Sequence, residues 1–150
     1  MRRRLGLPLL AVVGLALLAA PRVVLHDLGI IQEGSAVNAL LVAVPPLVWV
    51  VVAVVARVPN AFVTVLAIGA CYGAFLAIGH QLLWHLAFAE DPPRLGGNLA
   101  DLAPAAQAVI FRAFGVVSSL LTGTAVGAIA GLIAGGIGLL TRRLRSGSRP

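Results

Sequence analysis

Lysine is absent from the 150-residue chain, and cysteine, methionine and tyrosine each occur once. Every fixed positive side chain is therefore an arginine. A single cysteine, Cys71, permits no intramolecular disulfide, no CxxC redox pair and no cysteine-based zinc knuckle, so a thiol–disulfide membrane enzyme is excluded on stoichiometry alone. Its neighbours in AIGACYGAF are small or apolar, and it is expected to pack as a small buried hydrophobe. Charge is scarce as well: 11% of residues are charged, less than half the share of about 25% usual in soluble domains. With 60% apolar residues and a mean hydropathy of +1.04, this composition excludes an ordinary water-soluble domain, a disordered tail and a fibrous repeat. Catalytic motifs are missing too. There is no P-loop, GxSxG or HExxH, and no paired carboxylate site in a catalytic frame, so the chain does not read as an enzyme.

What the chain does contain is long uncharged runs. The first, about residues 5–25, is entered directly from Arg2, Arg3 and Arg4 and has a signal-peptide outline. Cutting after Ala20 would put Leu18 at the −3 position, where a small residue is needed, and apolar sequence resumes at Val23; an uncleaved span is expected, with Arg22 snorkelling at its far interface. The second span covers about residues 36–56, with Pro45 and Pro46 near its middle. Proline removes an amide donor and clashes with the preceding turn, so a helix kink is expected there. A four-residue connection, Arg57-Val58-Pro59-Asn60, leads into a third span over about 61–88. The last apolar stretch, residues 104–140, is too long for one crossing, and Arg112 divides it into an interfacial segment over about 104–111 and a fourth span over about 113–140. The valine-rich runs do not read as strands, because a bilayer requires each backbone amide to be satisfied within its own segment. The fold class implied is all-α: an integral membrane four-helix bundle forming a single polytopic domain over 1–150.

The arginines orient this bundle. Four spans put both termini on one side, which would hold Arg2, Arg3, Arg4, Arg57, Arg142, Arg143, Arg145 and Arg149. The other side would hold Arg22, Arg94 and Arg112 with all five acids, Asp27, Glu33, Glu90, Asp91 and Asp101. The positive-inside rule then places the N- and C-termini in the cytoplasm, and the expected location is the cell membrane, specifically a bacterial inner membrane. The net charge of +6 is thus a topology signal, and no nucleic-acid partner is expected.

Two constellations stand out. Gly115, Ser119, Gly123, Gly127, Gly131 and Gly135 recur at four-residue spacing along one nearly straight helical stripe, and Gly69 and Gly73 form a shorter version on the third span. Lipid supplies no hydrophobic drive between helices, so small residues that let backbones approach are the expected packing surface, either within the chain or against another subunit. The second constellation is His26, His80 and His85, with Trp84. His80 and His85 lie about 28 Å and 36 Å along the third span from Ala61, on the side of His26 and the acids. Imidazoles beside carboxylates are the ligand types zinc uses, and an imidazole can also ligate haem, although His80 and His85, five residues apart, diverge by about 140° around a helix. Amphipathic anchoring at the headgroup level accounts for the same residues without a ligand.

The expected activity is therefore that of a small non-catalytic membrane protein acting through helix–helix association, as a subunit or scaffold, in a homo-oligomer or with another membrane protein. No cofactor is called for by this reading. Two alternatives stay open: a small transporter or channel for a neutral or hydrophobic solute, and a metal- or haem-binding protein using the three histidines.

Overall fold

The structure, a computed structural model, describes residues 5–147, with side chains through Leu144. Arg2, Arg3, Arg4 and Arg149, used above for orientation, lie outside the described residues, and Arg145 outside the described side chains. Among the described residues five α-helices follow one another: α1 (Leu9–Leu17), α2 (Ala20–Asp27), α3 (Ala36–Val55), α4 (Ala61–Ala87) and α5 (Pro104–Gly147), with a 3-10 turn at Gly97–Leu99 before the last. No strand occurs among the described residues. Helices α1 and α2 together (Leu9–Asp27), α3, α4 and most of α5 (Pro104–Leu144) make four segments long and apolar enough to cross a membrane.

The first of these is broken in its middle. Pro21 lacks the amide that would bond the Leu17 carbonyl, and its ring crowds that same carbonyl. Accordingly α1 ends at Leu17, and Pro21 sits in the first turn of the restarted helix, a position proline tolerates. By contrast α3 is helical throughout, across Pro45 and Pro46. Ser35 caps α3 by accepting from the Asn38 amide, and Asn60 caps α4 by accepting from the Val63 amide at 3.1 Å.

Helix α4 packs against all four other helices. It runs alongside α1 and α2 in the same direction: near its start the Thr64 hydroxyl donates to the Leu5 carbonyl at 2.7 Å, and near its end Gly79 lies against Val23. Trp49 of α3, fully buried, stacks obliquely on Tyr72 of α4 with ring centroids 5.9 Å apart. Val12, Trp49, Val65 and Ile68 fill the core between α1, α3 and α4. Cys71 only borders that core, half-buried rather than enclosed.

Helix α5 departs most from expectation. It continues through Arg112 without a break, so residues 104–111, the expected interfacial segment, are the opening turns of one 44-residue helix. The end of α4 meets this helix at Arg112. Gln81 donates to the Arg112 carbonyl at 3.2 Å, and the Arg112 guanidinium lies over the Trp84 ring, 5.3 Å from its centroid.

Candidate functional site

The α4–α5 contact sets the geometry of everything around it. A Cβ on Gly69 would collide with the backbone of Gly127, and one on Gly123 with the backbone of Gly73. At Gly73 it would lie 2.9 Å from the Ser119 carbonyl oxygen, and at Gly131 2.9 Å from that of Phe62. Ser119 returns its hydroxyl to the Gly115 carbonyl at 2.6 Å and so presents little bulk to the seam. The row is not straight, however. With 3.6 residues per turn, positions four apart are offset by about 40°, so the stripe winds around α5. Helix α4 meets it only over Ser119–Gly131, where the axes pass close. At Gly115 and Gly135 a Cβ would meet nothing within 4 Å, and beyond the seam the helices diverge.

A cleft opens at each end of the seam. The one at the histidine end has a volume of about 360 Å³ and is lined by His26, Asp27, His80, Gln81, Trp84, Phe88, Phe111 and Gly115, among others. Its polar centre is Asp27, whose side chain is 7% exposed. His80 Nδ1 lies 2.6 Å from Asp27 Oδ2, and His26 Nδ1 lies 3.5 Å from Asp27 Oδ1. His26 Nε2 is in turn 3.4 Å from Glu33 Oε1. A carboxylate only accepts, so the His80 Nδ1–H donates to Asp27, leaving Nε2 as the ring's second polar atom. Local backbone fit explains the pairing. Val23 stands one turn before Asp27 and rests on Gly79, next to His80, where a Cβ would meet Val23 Cγ1 at 2.8 Å. Glycine at 79 therefore admits α2 close enough for its last residue to reach the imidazole.

The three histidines do not converge. His26 and His80 share Asp27, whereas His85 turns to Arg112, with Nε2 3.3 Å from Arg112 Nη2. Trp84 is sandwiched between Arg112 and Phe88, whose ring centroid is 4.6 Å away. Among the described residues no group of three or more His, Cys, Asp or Glu side chains is placed to hold a metal ion.

Three polar residues gain roles that the sequence did not suggest. Arg22 does not snorkel outward: its Nε donates to Asn38 Oδ1 at 2.9 Å. Asn38 also donates to the Glu33 carbonyl at 2.6 Å, tying the first loop to α3. Gln107, nearly buried, accepts from the Leu95 amide at 2.8 Å and donates to the Leu102 and Ala100 carbonyls at 2.8 and 3.1 Å, fastening the second loop to the start of α5. The only sequence signal for either amide was a polar residue inside an apolar helix.

The second cleft, of about 390 Å³, lies at the opposite end of the seam, between the α3–α4 turn and the last turns of α5. Arg57, Asn60, Thr141 and Arg142 are the polar residues of its lining. No protein-family model matches the chain, and no curated protein or solved structure is significantly similar to it.

Proposed function

We propose that the chain is a non-catalytic integral membrane protein of four spans, with both termini on the cytoplasmic face of a bacterial inner membrane, acting by association as a subunit or scaffold. The observation that carries this reading is the lopsided burial of α5. Its seam face is spent on α4, while Phe114, Val117, Leu121, Leu132 and Leu139 form an outer face left 55–70% exposed. In lipid the strip gains nothing from burial as such, so a second copy presenting the same face would be held by side-chain packing along it, and the backbone seam behind it gives a firm backing. The arginine distribution supports the orientation. Cross-linking tests the association. In a Cys71→Ser background, Leu121→Cys is expected to give disulfide-linked dimers in native membranes, and Ala16→Cys, on the fully buried face of α1, none. Leu121→Cys remaining monomeric at every protein-to-lipid ratio would overturn it.

A second reading rests on the cleft at the histidine end. Trp84, Phe88 and Phe111 offer ring faces beside the Asp27–His80 pair, and about 360 Å³ suits a small amphipathic solute with one hydrogen-bonding group, such as a phenol. Titration of the purified protein with phenol should move the His80 imidazole resonances in NMR spectra, and Phe111→Ala should weaken the effect. Resonances that stay fixed to millimolar phenol would exclude this use of the cleft.

A further inference from the structure

We propose that the cleft at the arginine end binds one anionic phospholipid, with its phosphate between Arg57 and Arg142 and an acyl chain along the glycine-bare end of α5; this rests on the reading that the apolar helices span a bilayer. The cleft is a mixed surface of the kind such a lipid requires. Ala53, Val54, Ala134 and Leu139 form apolar walls, and at Gly135 and Gly138 a Cβ would meet nothing within 4 Å, so the floor is open. Among the described residues its charged lining is Arg57 and Arg142. Neither has an ion pair or hydrogen-bond partner for its guanidinium among the described residues. No Asp or Glu side chain lies near them, because Asp27, Glu33, Glu90, Asp91 and Asp101 are all in or beside the loops at the other end of the bundle.

The remaining polar groups of the lining are already engaged. Asn60 caps α4, and the Thr141 hydroxyl bonds the Ile137 and Gly138 carbonyls, each at 3.0 Å. Asn60 caps through Oδ1 alone, so its side-chain amide keeps neutral donors, and the two guanidiniums are the charged donors of the cleft.

Arg57 adds an independent observation. Its φ is +50°, in the left-handed region. It follows the C-cap of α3 in a Schellman turn: its amide bonds the Val54 carbonyl at 3.1 Å, and the Val58 amide bonds that of Ala53 at 3.2 Å. These are backbone bonds, and glycine is the residue that usually makes them without strain. An arginine here gains the modest benefit of a cation at a helix C-terminus, but its side chain makes none of the turn's hydrogen bonds and pairs with no acid among the described residues. Its charge fits a ligand held in the cleft beside it. A free phosphate would engage the arginines but leave the apolar walls bare, whereas a lipid covers both, and basic pockets between membrane helices suit anionic headgroups.

Native mass spectrometry of the detergent-purified full chain tests this with dioleoyl-phosphatidylglycerol, dioleoyl-phosphatidylcholine and inorganic phosphate as probes. Phosphatidylglycerol is expected to bind at least about tenfold more tightly than phosphatidylcholine, and millimolar phosphate not to displace it. Arg57→Gly and Arg142→Gln should each weaken phosphatidylglycerol about fivefold, and together abolish the preference. Because Arg57→Gly also relieves the left-handed backbone, it should melt no lower than the parent, so its loss of binding is not a loss of fold. Gly138→Leu, which fills the floor without touching a charge, should weaken both lipids. Equal affinity for the two lipids, a preference that survives Arg57→Gly with Arg142→Gln, or displacement by phosphate would each overturn the proposal. Alkaline carbonate extraction separates these failures from failure of the spanning reading, since it releases a chain that does not cross the bilayer.

Discussion

Trp49 reinforces, through one hydrogen bond, the last turn before the break in the first apolar segment, where the Leu15 carbonyl is otherwise held only by the Leu18 amide at 3.3 Å. Where α1 ends, carbonyls in the middle of the bundle lose their helical partners, and an unsatisfied peptide group away from water is costly. The Trp49 indole N–H donates to the Leu15 carbonyl at 2.8 Å, from 34 residues away in sequence. Trp49→Phe keeps an aromatic ring against Tyr72 but removes the donor. It should lower stability by about 1–3 kcal/mol, read as a lower Tm in detergent, whereas Trp84→Phe, in the half-exposed cleft, should change it far less. An unchanged Tm for Trp49→Phe would show that the Leu18 amide alone satisfies the carbonyl. Pro21, which causes the break, lies inside a run whose apolarity alone suggests one continuous span. The role of Trp49 was not legible either, because a long-range side-chain to backbone bond leaves no periodic trace. The same holds for Arg22, whose place at the end of an apolar run suggested snorkelling toward water. A partner amide 16 residues on, Asn38, turns it into the bundle instead.

Among the elements, α5 shows most plainly what a pattern specifies and what it leaves open. Four-residue spacing of small residues was readable as a packing stripe. Its useful length was not, because the winding of the row and the crossing of α4 are joint properties of two helices. Steric consequences differ along the row accordingly. Gly123→Leu drives a side chain into the backbone of Gly73, with no rotamer to escape into, and Gly69→Leu does the same toward Gly127. Each should cost at least 3 kcal/mol or prevent folding, beyond the usual overpacking penalty of about 1–3 kcal/mol because the obstacle is backbone. Gly115→Leu, facing open space, should stay within about 0.5 kcal/mol of the parent, with the difference read by thermal unfolding. Equal destabilisation at 115 and 123 would contradict the seam. At Arg112 the helix does not break, for a related reason. A lone arginine looks like a boundary until Gln81, Trp84 and His85 of a neighbouring helix are known to surround it.

Across the whole molecule, the helical class and the four apolar segments followed from composition and run length, because those depend on each segment alone. Which segments touch did not. The central place of α4 and the two clefts flanking the seam arise from packing that no single segment encodes. The histidine constellation illustrates the limit: helical spacing already set His80 apart from His85, but only the fold brings Asp27 to His80 and leaves His85 with Arg112.

One further consequence concerns thickness. Helix α3 has 20 residues, about 30 Å, which equals the hydrocarbon depth of a typical bilayer. On α5 the uncharged stretch is bounded by Arg112 and Arg142, 30 residues and about 45 Å apart, which is the depth of a bilayer with its headgroups included. The chain thus carries two gauges of different calibre, one matched to the oily interior and one to the full leaflet-to-leaflet distance. They are tied together, since α3 and α5 both pack on α4 and on each other. On the proposed spanning reading, a thinner membrane makes both gauges lean, and the shorter one leans more for the same loss of height, so bilayer thickness would be converted into an angle between α3 and α5.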